Sequence, residues 1–167
     1  MEVGLSLGSN RGDRLLNLRG AKQRIGATPG ISLIAQTPVY ETEPVGVAPD
    51  DRELYFLNAV LIIESALPIV KLAARLRAIE QALGRRPHQE ANAPRSIDID
   101  IIYAGVLCFN SEQIVIPHPC WSQRRFVVRP LGDVRPDLLV PGQVGTVREV
   151  LRNLSDQHKV KLFAKEL

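Results

Sequence analysis

Residues 93–105 read APRSIDIDIIYAG. In an extended strand alternate side chains leave on opposite faces, so Asp98 and Asp100 share one face, with Cα atoms about 6–7 Å apart. Ile97, Ile99 and Ile101 take the other face, which can close against a core. Two carboxylates held side by side repel unless positive charge lies between them. A divalent cation is one answer, with Arg95 just upstream as an anion-binding partner. A solvated acidic strand face is the other, and spacing alone leaves both open.

Working outward from this strand, the pattern gives an alternating order of elements. Residues 3–7 predict a first strand that ends in the turn GSNRGD. Asp13 is placed as a helix N-cap, followed by Leu15, Leu18, Ala21 and Ile25 at helical spacing until Gly26 and Pro29. Residues 31–40 read as a strand, TEPVGVAPDDRE as a loop, and 54–64 as a second strand rich in β-branched and aromatic residues. Pro68 suits the first turn of a helix whose apolar stripe is Val70, Ala73, Leu76, Ile79 and Leu83, closed by Gly84. The strand at 96–103 completes β-α-β-β-α-β. That is a ferredoxin-like α+β core, an antiparallel sheet with helices packed on it. The expectation is one domain over residues 1–167. After Gly142 the pattern weakens: 147–154 is helix-like, and KVKLFAKEL is either a final strand or a tail.

Composition narrows the class. Apolar residues make up 45% of 167 positions, enough for a proper core. No run reaches the roughly 18–20 apolar residues of a membrane span. The N-terminal MEVGLSLGSN has neither a basic leader nor a long apolar stretch, so a cytoplasmic protein is expected. Cys108 and Cys120 lack metal-ligand spacing. The net charge is only +3, but sixteen of the 21 basic residues are arginine. Arg85, Arg86, Arg95, Arg124, Arg125 and Arg129 all fall in the middle-to-late part of the chain. Guanidinium groups pair with phosphate oxygens, so this clustering points to a phosphorylated ligand. Nucleic acid competes for that reading, but aromatics at 5% supply few stacking platforms.

Five segments carry candidate chemistry. LGSNRGD is a glycine-bearing turn without the spacing or lysine of a P-loop. YETEPVG offers the Thr42 hydroxyl and a backbone constrained by Pro44 and Gly46. FLNAV places the Asn58 amide in an apolar strand, on the same face as Phe56. An amide offers two donors and an acceptor, which suits a heterocycle edge, as it also suits a buried tie to neighbouring backbone. IEQALGRR brings Glu80 and Arg85 to a helix end, where a solvated charge and a dipole partner explain them equally. IPHPCWSQRRF holds His118 between two prolines and sets Arg124 beside Phe126.

Taken together and in order, LGSNRGD, TPVYETEPVG, FLNAV, LGR, APRSIDIDIIYAG, IPHP and RRFVVRPLGDVRPDLLVPG resemble the 6-hydroxymethyl-7,8-dihydropterin pyrophosphokinase family of folate-pathway enzymes. The resemblance covers residues 3–142, and PRSIDIDI is its most specific part. It implies transfer of diphosphate from ATP to the pterin hydroxymethyl group, leaving AMP. Asp98 and Asp100 would hold two Mg²⁺. Thr42, Pro44, Val45 and Asn58 would meet the pterin edge, with Phe56 and Phe126 enclosing its ring. Glu80, Arg85, Arg95, Ile101, His118 and Arg124 would contact ATP, and Arg85, Arg95 and His118 would serve the reaction beside the two aspartates. A monomer acting on small molecules is implied, with no nucleic acid or membrane partner. Such transfer needs positioning and charge neutralisation, which fits the absence of any nucleophilic triad.

The chain departs from the family between Arg85 and Arg95. Pro87 stands where an arginine is common, and Asn92-Ala93 replaces Trp-Gly. Arg86 or His88 is the expected source of the missing charge. Pro119 follows His118 where an aromatic is common. Two rival readings are an RNA-binding ferredoxin-like module and an inactive pterin binder. The first conflicts with acids on the strand face where bases would stack, the second with the presence of both aspartates.

Overall fold

Ten residues of near-continuous apolar sequence, FLNAVLIIES, form the long central strand β4 (Phe56–Ser65), buried on both faces. The computed structural model describes residues 1–45, 49–85 and 93–167. Around β4 lie β1 (Glu2–Ser9), β2 (Ile31–Gln36), β3 (Val39–Thr42), β5 (Asp98–Ala104) and β8 (Val160–Ala164), with the sheet order β5-β1-β4-β3-β8 and β2 also paired to β4, while β6 (Phe109–Asn110) and β7 (Val115–Ile116) pair separately. Each pairing is antiparallel. β8 extends the edge beyond β3. The crossovers β1-α1-β2 and β4-α2-β5 each skip one strand, which is the ferredoxin-like arrangement that the sequence pattern predicts.

Helices α1 (Arg14–Gly26) and α2 (Ile69–Ala82) cover one face of the sheet. There Leu18, Ala21, Ile25, Leu72, Leu76 and Ile79 pack with alternate residues of β1, β4 and β5. Helices α3 (Arg125–Val134) and α4 (Val147–Asn153) cover part of the other, with Val127, Val128, Leu131 and Val147 against Val60, Ile62 and Ile102. Among the described residues, no helix is long and apolar enough to cross a membrane.

Several boundaries differ from the pattern reading, each for a local reason. β1 does not stop at Leu7 but runs through Ser9, so Gly8 is strand, not turn. Residues 31–40 are two strands. Pro38 cannot donate to a ladder, and the break at Thr37–Pro38 is bridged by Thr37, whose amide donates to the Val60 carbonyl (3.0 Å) and whose hydroxyl accepts from Val60 N (2.9 Å). Val70 is 52% exposed, and the true stripe of α2 runs through Leu72, Ala73, Leu76 and Ile79. α3 is a helix despite Pro130 inside it, because its apolar face is buried on the sheet. The C-terminal VKLFA stretch, residues 160–164, is a strand.

One contact sets a limit on β1. Gly4 lies opposite Tyr103 in the β1–β5 ladder, and a methyl group there would fall on the Tyr103 ring, 2.7 Å from Cδ1. The ring is fully buried, with its hydroxyl donating to Glu2 at 2.6 Å, so it has no room to retreat. Gly4→Ala should therefore destabilise the fold by about 1–3 kcal/mol. A urea midpoint equal to the parent's would refute this.

Candidate active site

The face of the sheet left open beside α3 carries a cleft of about 780 Å³. Its floor is set by strand register. Gly8 of β1 pairs with Asp98 of β5 on one side and with Asn58 of β4 on the other. Ser6 pairs likewise with Asp100. The result is a row across three strands: a carboxylate, a glycine and an amide. Gly8 keeps the middle low, since a Cβ there would come 3.1 Å from Asn58 Oδ1. Period-2 reasoning applied to LSLGS would have found Ser6 and Gly8; reading GSN as a turn hid them.

At one end of the row Asp98 accepts from Arg85 Nη1 (2.6 Å) and from Arg95 Nη1 (2.9 Å). Each arginine is held by sequence-local chemistry. Gly84, at φ +92°, follows the end of α2, and the amides of Gly84 and Arg85 bond back to Gln81 O and Glu80 O. That is the Schellman ending that glycine permits, and it turns Arg85 back toward β5. Arg95 is clamped at its backbone by Asn10, whose Oδ1 accepts from Arg95 N (2.8 Å) while Asn10 N donates to Arg95 O (3.2 Å). The LGSNRGD turn therefore serves here as a support for Arg95.

Glu80 is not the solvated helix charge that its position suggests. It is 5% exposed, pairs with Arg85 and accepts from Ile99 N at 2.7 Å. Burial raises its pKa to about 7 against the pull of Arg85. It stands behind Arg85 and does not line the cleft, and neither does Ile101, which is buried in the core on the opposite face. Asp100 has no ion pair among the described residues. Burial, with Asp98 beside it, pushes its pKa up to about 6.

The other end of the row is the amide. Asn58 is 3% exposed, and its Nδ2 donates to Thr42 Oγ1 at 2.7 Å, which leaves Oδ1 beside Gly8 as an acceptor facing the cleft. Thr42, Val45, Phe56 and Phe126 line this end; Pro44 does not. Arg124 lies 5.8 Å from the Phe126 ring centroid. His118 Nδ1 accepts from Cys120 N (3.1 Å), which assigns the proton to Nε2. Burial first and Arg124 second lower the His118 pKa, so the ring is a neutral donor at the cleft wall. Gly46, Pro87, Asn92 and the expected charge donors Arg86 and His88 lie outside the described residues. The sequence reading also missed Gln123 and residues 155–158, which line the cleft and carry no motif.

Among the described residues no third acid, histidine or cysteine joins these two strand carboxylates in a group able to hold a metal, so the pair makes a sparse metal site. That set fits magnesium, which keeps several waters and takes one or two carboxylates plus substrate phosphates.

Comparison with known proteins points to one family. Residues 4–136 match the family model for 7,8-dihydro-6-hydroxymethylpterin-pyrophosphokinase. The 2-amino-4-hydroxy-6-hydroxymethyldihydropteridine pyrophosphokinase of Methylorubrum extorquens is 39% identical over 150 residues, 90% of this chain and 91% of that one. The folic acid synthesis protein fol1 of Schizosaccharomyces pombe is 35% identical over 153 residues, and the chain spans 20% of its length. In fold, the chain is similar to a wild-type Plasmodium falciparum HPPK-DHPS structure, with a TM-score of 0.66 at 15% identity over 90% of this chain and 43% of that one. With a family-model match over residues 4–136 and a relative of near-equal length at 39% identity, the chain belongs to the 7,8-dihydro-6-hydroxymethylpterin-pyrophosphokinase family.

Proposed function

We infer that the cleft transfers diphosphate from ATP to the hydroxymethyl oxygen of the dihydropterin, releasing AMP, a step of folate biosynthesis. The observation that carries this reading is the row Asp98–Gly8–Asn58, which sets an anion-handling end and a heterocycle-recognising end one strand apart on each side of a glycine. Asn58 Oδ1 accepts from the pterin's N–H groups, with the amide held in that sense by Thr42. Phe56 and Phe126 enclose the ring. The substrate hydroxyl then lies over Gly8, facing the acids.

Asp98 and Asp100 would hold the magnesium. When bound it neutralises phosphate charge and lowers the pKa of the attacking hydroxyl. The hydroxyl oxygen bonds to the β-phosphorus and gives its proton to solvent water, the bond from that phosphorus to the α–β bridging oxygen breaks, and AMP leaves with the electron pair. Arg85 and Arg95, paired with Asp98 in the free protein, turn to the phosphates as their counterion is taken over. Arg124 and the Nε2–H of His118 add donors along the same wall. No protein nucleophile is needed, since such transfer rests on positioning and electrostatics. Glu80, set behind Arg85, acts by orienting it.

The test is to mix the protein with ATP, magnesium and the pterin alcohol and identify the nucleotide product. AMP is expected. ADP would mean single-phosphoryl transfer, and binding without turnover would favour the inactive pterin binder.

A further inference from the structure

The family match ends at residue 136, yet the cleft does not. Ser155, Asp156, Gln157 and His158 line it, just ahead of β8. Val160 pairs with Thr42 in the β3–β8 ladder, which brings this segment alongside the Thr42–Val45 end of the cleft. The sheet edge thus delivers a C-terminal stretch to the end that Asn58 and Phe56 mark for the pterin.

Within the stretch Asp156 is fastened to α3. Its Oδ2 accepts from the backbone amide of Arg125 (2.8 Å), and its carbonyl from Arg125 Nη1 (3.3 Å). Arg125 opens α3, so its amide has no partner within the helix, and the N-cap residue Arg124 supplies no side-chain cap. A carboxylate from a distant part of the chain fills that role. The other oxygen, Oδ1, accepts from His158 N at 2.9 Å, which folds the segment back on itself. Arg125 sits between Arg124 and Phe126, whose side chains enter the cleft. Fixing its amide fixes the turn from which both project.

We propose that residues 155–158 form the outer wall of the pterin end, and that Asp156 is a positioning residue that sets Arg124 and Phe126 against the substrates. This rests on the function proposed above. Asp156→Ala should raise the KM for the pterin alcohol about tenfold, equivalent to ~1.4 kcal/mol, with a smaller change in the KM for ATP. Asp156→Asn should recover to within about threefold of the parent, because its Oδ1 still accepts from Arg125 N and restores the cap, although its Nδ2 cannot accept from His158 N. An alanine variant with parental pterin constants overturns the proposal. So does one that loses kcat/KM equally for ATP and for the pterin alcohol, melts lower and is not rescued by asparagine, since that marks a purely structural tie. Gln157 is exposed, so Gln157→Trp should fold and melt like the parent while its bulk weakens pterin binding about tenfold or more, read by equilibrium titration. Unchanged pterin affinity in that variant removes the wall. A parent that yields no AMP sinks the functional reading; a productive parent with unaffected variants sinks only this inference.

Discussion

Asp98→Ala and Asp100→Ala should each lower turnover by about 10³-fold or more, because the charge that develops on the transferring phosphates would lose the metal that offsets it. Their effects on stability should have opposite signs. Asp98 is the counterion of both Arg85 and Arg95. Removing it leaves two guanidinium groups facing each other, one of them beside the buried Glu80, and costs about 1–3 kcal/mol. Asp100 has no such partner among the described residues, and its carboxylate is held above its ordinary range by burial and by Asp98. Asp100→Ala should therefore be neutral or stabilising near pH 7 in the free protein. One substitution would thus lose function and fold stability together, and its neighbour two positions on would lose function while relieving strain between charges. Near-parental turnover in both variants would refute the metal assignment. Equal stability losses would refute the difference in pairing.

That difference was not legible in the sequence, although the pair was. Alternation along SIDIDI places both acids on one face whatever the rest of the fold does, and the same period gives β4 and the buried side of β1. Helical spacing gives α1 correctly, down to the Asp13 cap, whose carboxylate accepts from Leu16 N at 3.0 Å. The failures share a cause: each depends on what the rest of the chain brings near. Val70, three residues before Ala73, fits helical spacing as well as Leu72, four before Leu76, and only the sheet beneath α2 chooses between them. Glu80 reads as solvent-facing until β5 presents the Ile99 amide to it. RRFVVRPLGDV carries a proline that argues against a helix, and the buried face of α3 overrides it. Asp156 is one more acid in a polar stretch until the β3–β8 pairing carries it to Arg125. Local pattern reports period and punctuation. It cannot report a partner 19 residues away, as Ile99 is from Glu80, or 31, as Arg125 is from Asp156.

The pH dependence of stability separates Glu80 and Asp100 from the remaining acids. Asp100 shifts from 3.8 to about 6 and Glu80 from 4.5 to about 7, so in each case the folded state holds its proton more tightly than the unfolded chain. Their contribution is present in full below about pH 4, and it is lost as pH rises through about 6 and then 7. For Asp100 the loss is of order 1–3 kcal/mol. Glu2, Glu149 and Asp156 have lowered values, and their contributions fail only at the acidic end. His118 works against the carboxylates, since its lowered value makes the unfolded chain the stronger proton binder below about pH 6.5. The Asp100 share is therefore best read as a difference, parent minus Asp100→Asn, in urea stability at each pH with chelator present. That difference should fall between about pH 4 and pH 7. Magnesium and ATP should reverse it. Ligands that need the ionised carboxylate bind more tightly as the proton leaves, so their stabilisation of the parent should grow as pH rises through about 6, and that of Asp100→Asn should not. If the two proteins gave the same ligand-induced shift at every pH, the proton on Asp100 would not compete with the metal, and the carboxylate would have to be reassigned to holding its neighbours in place.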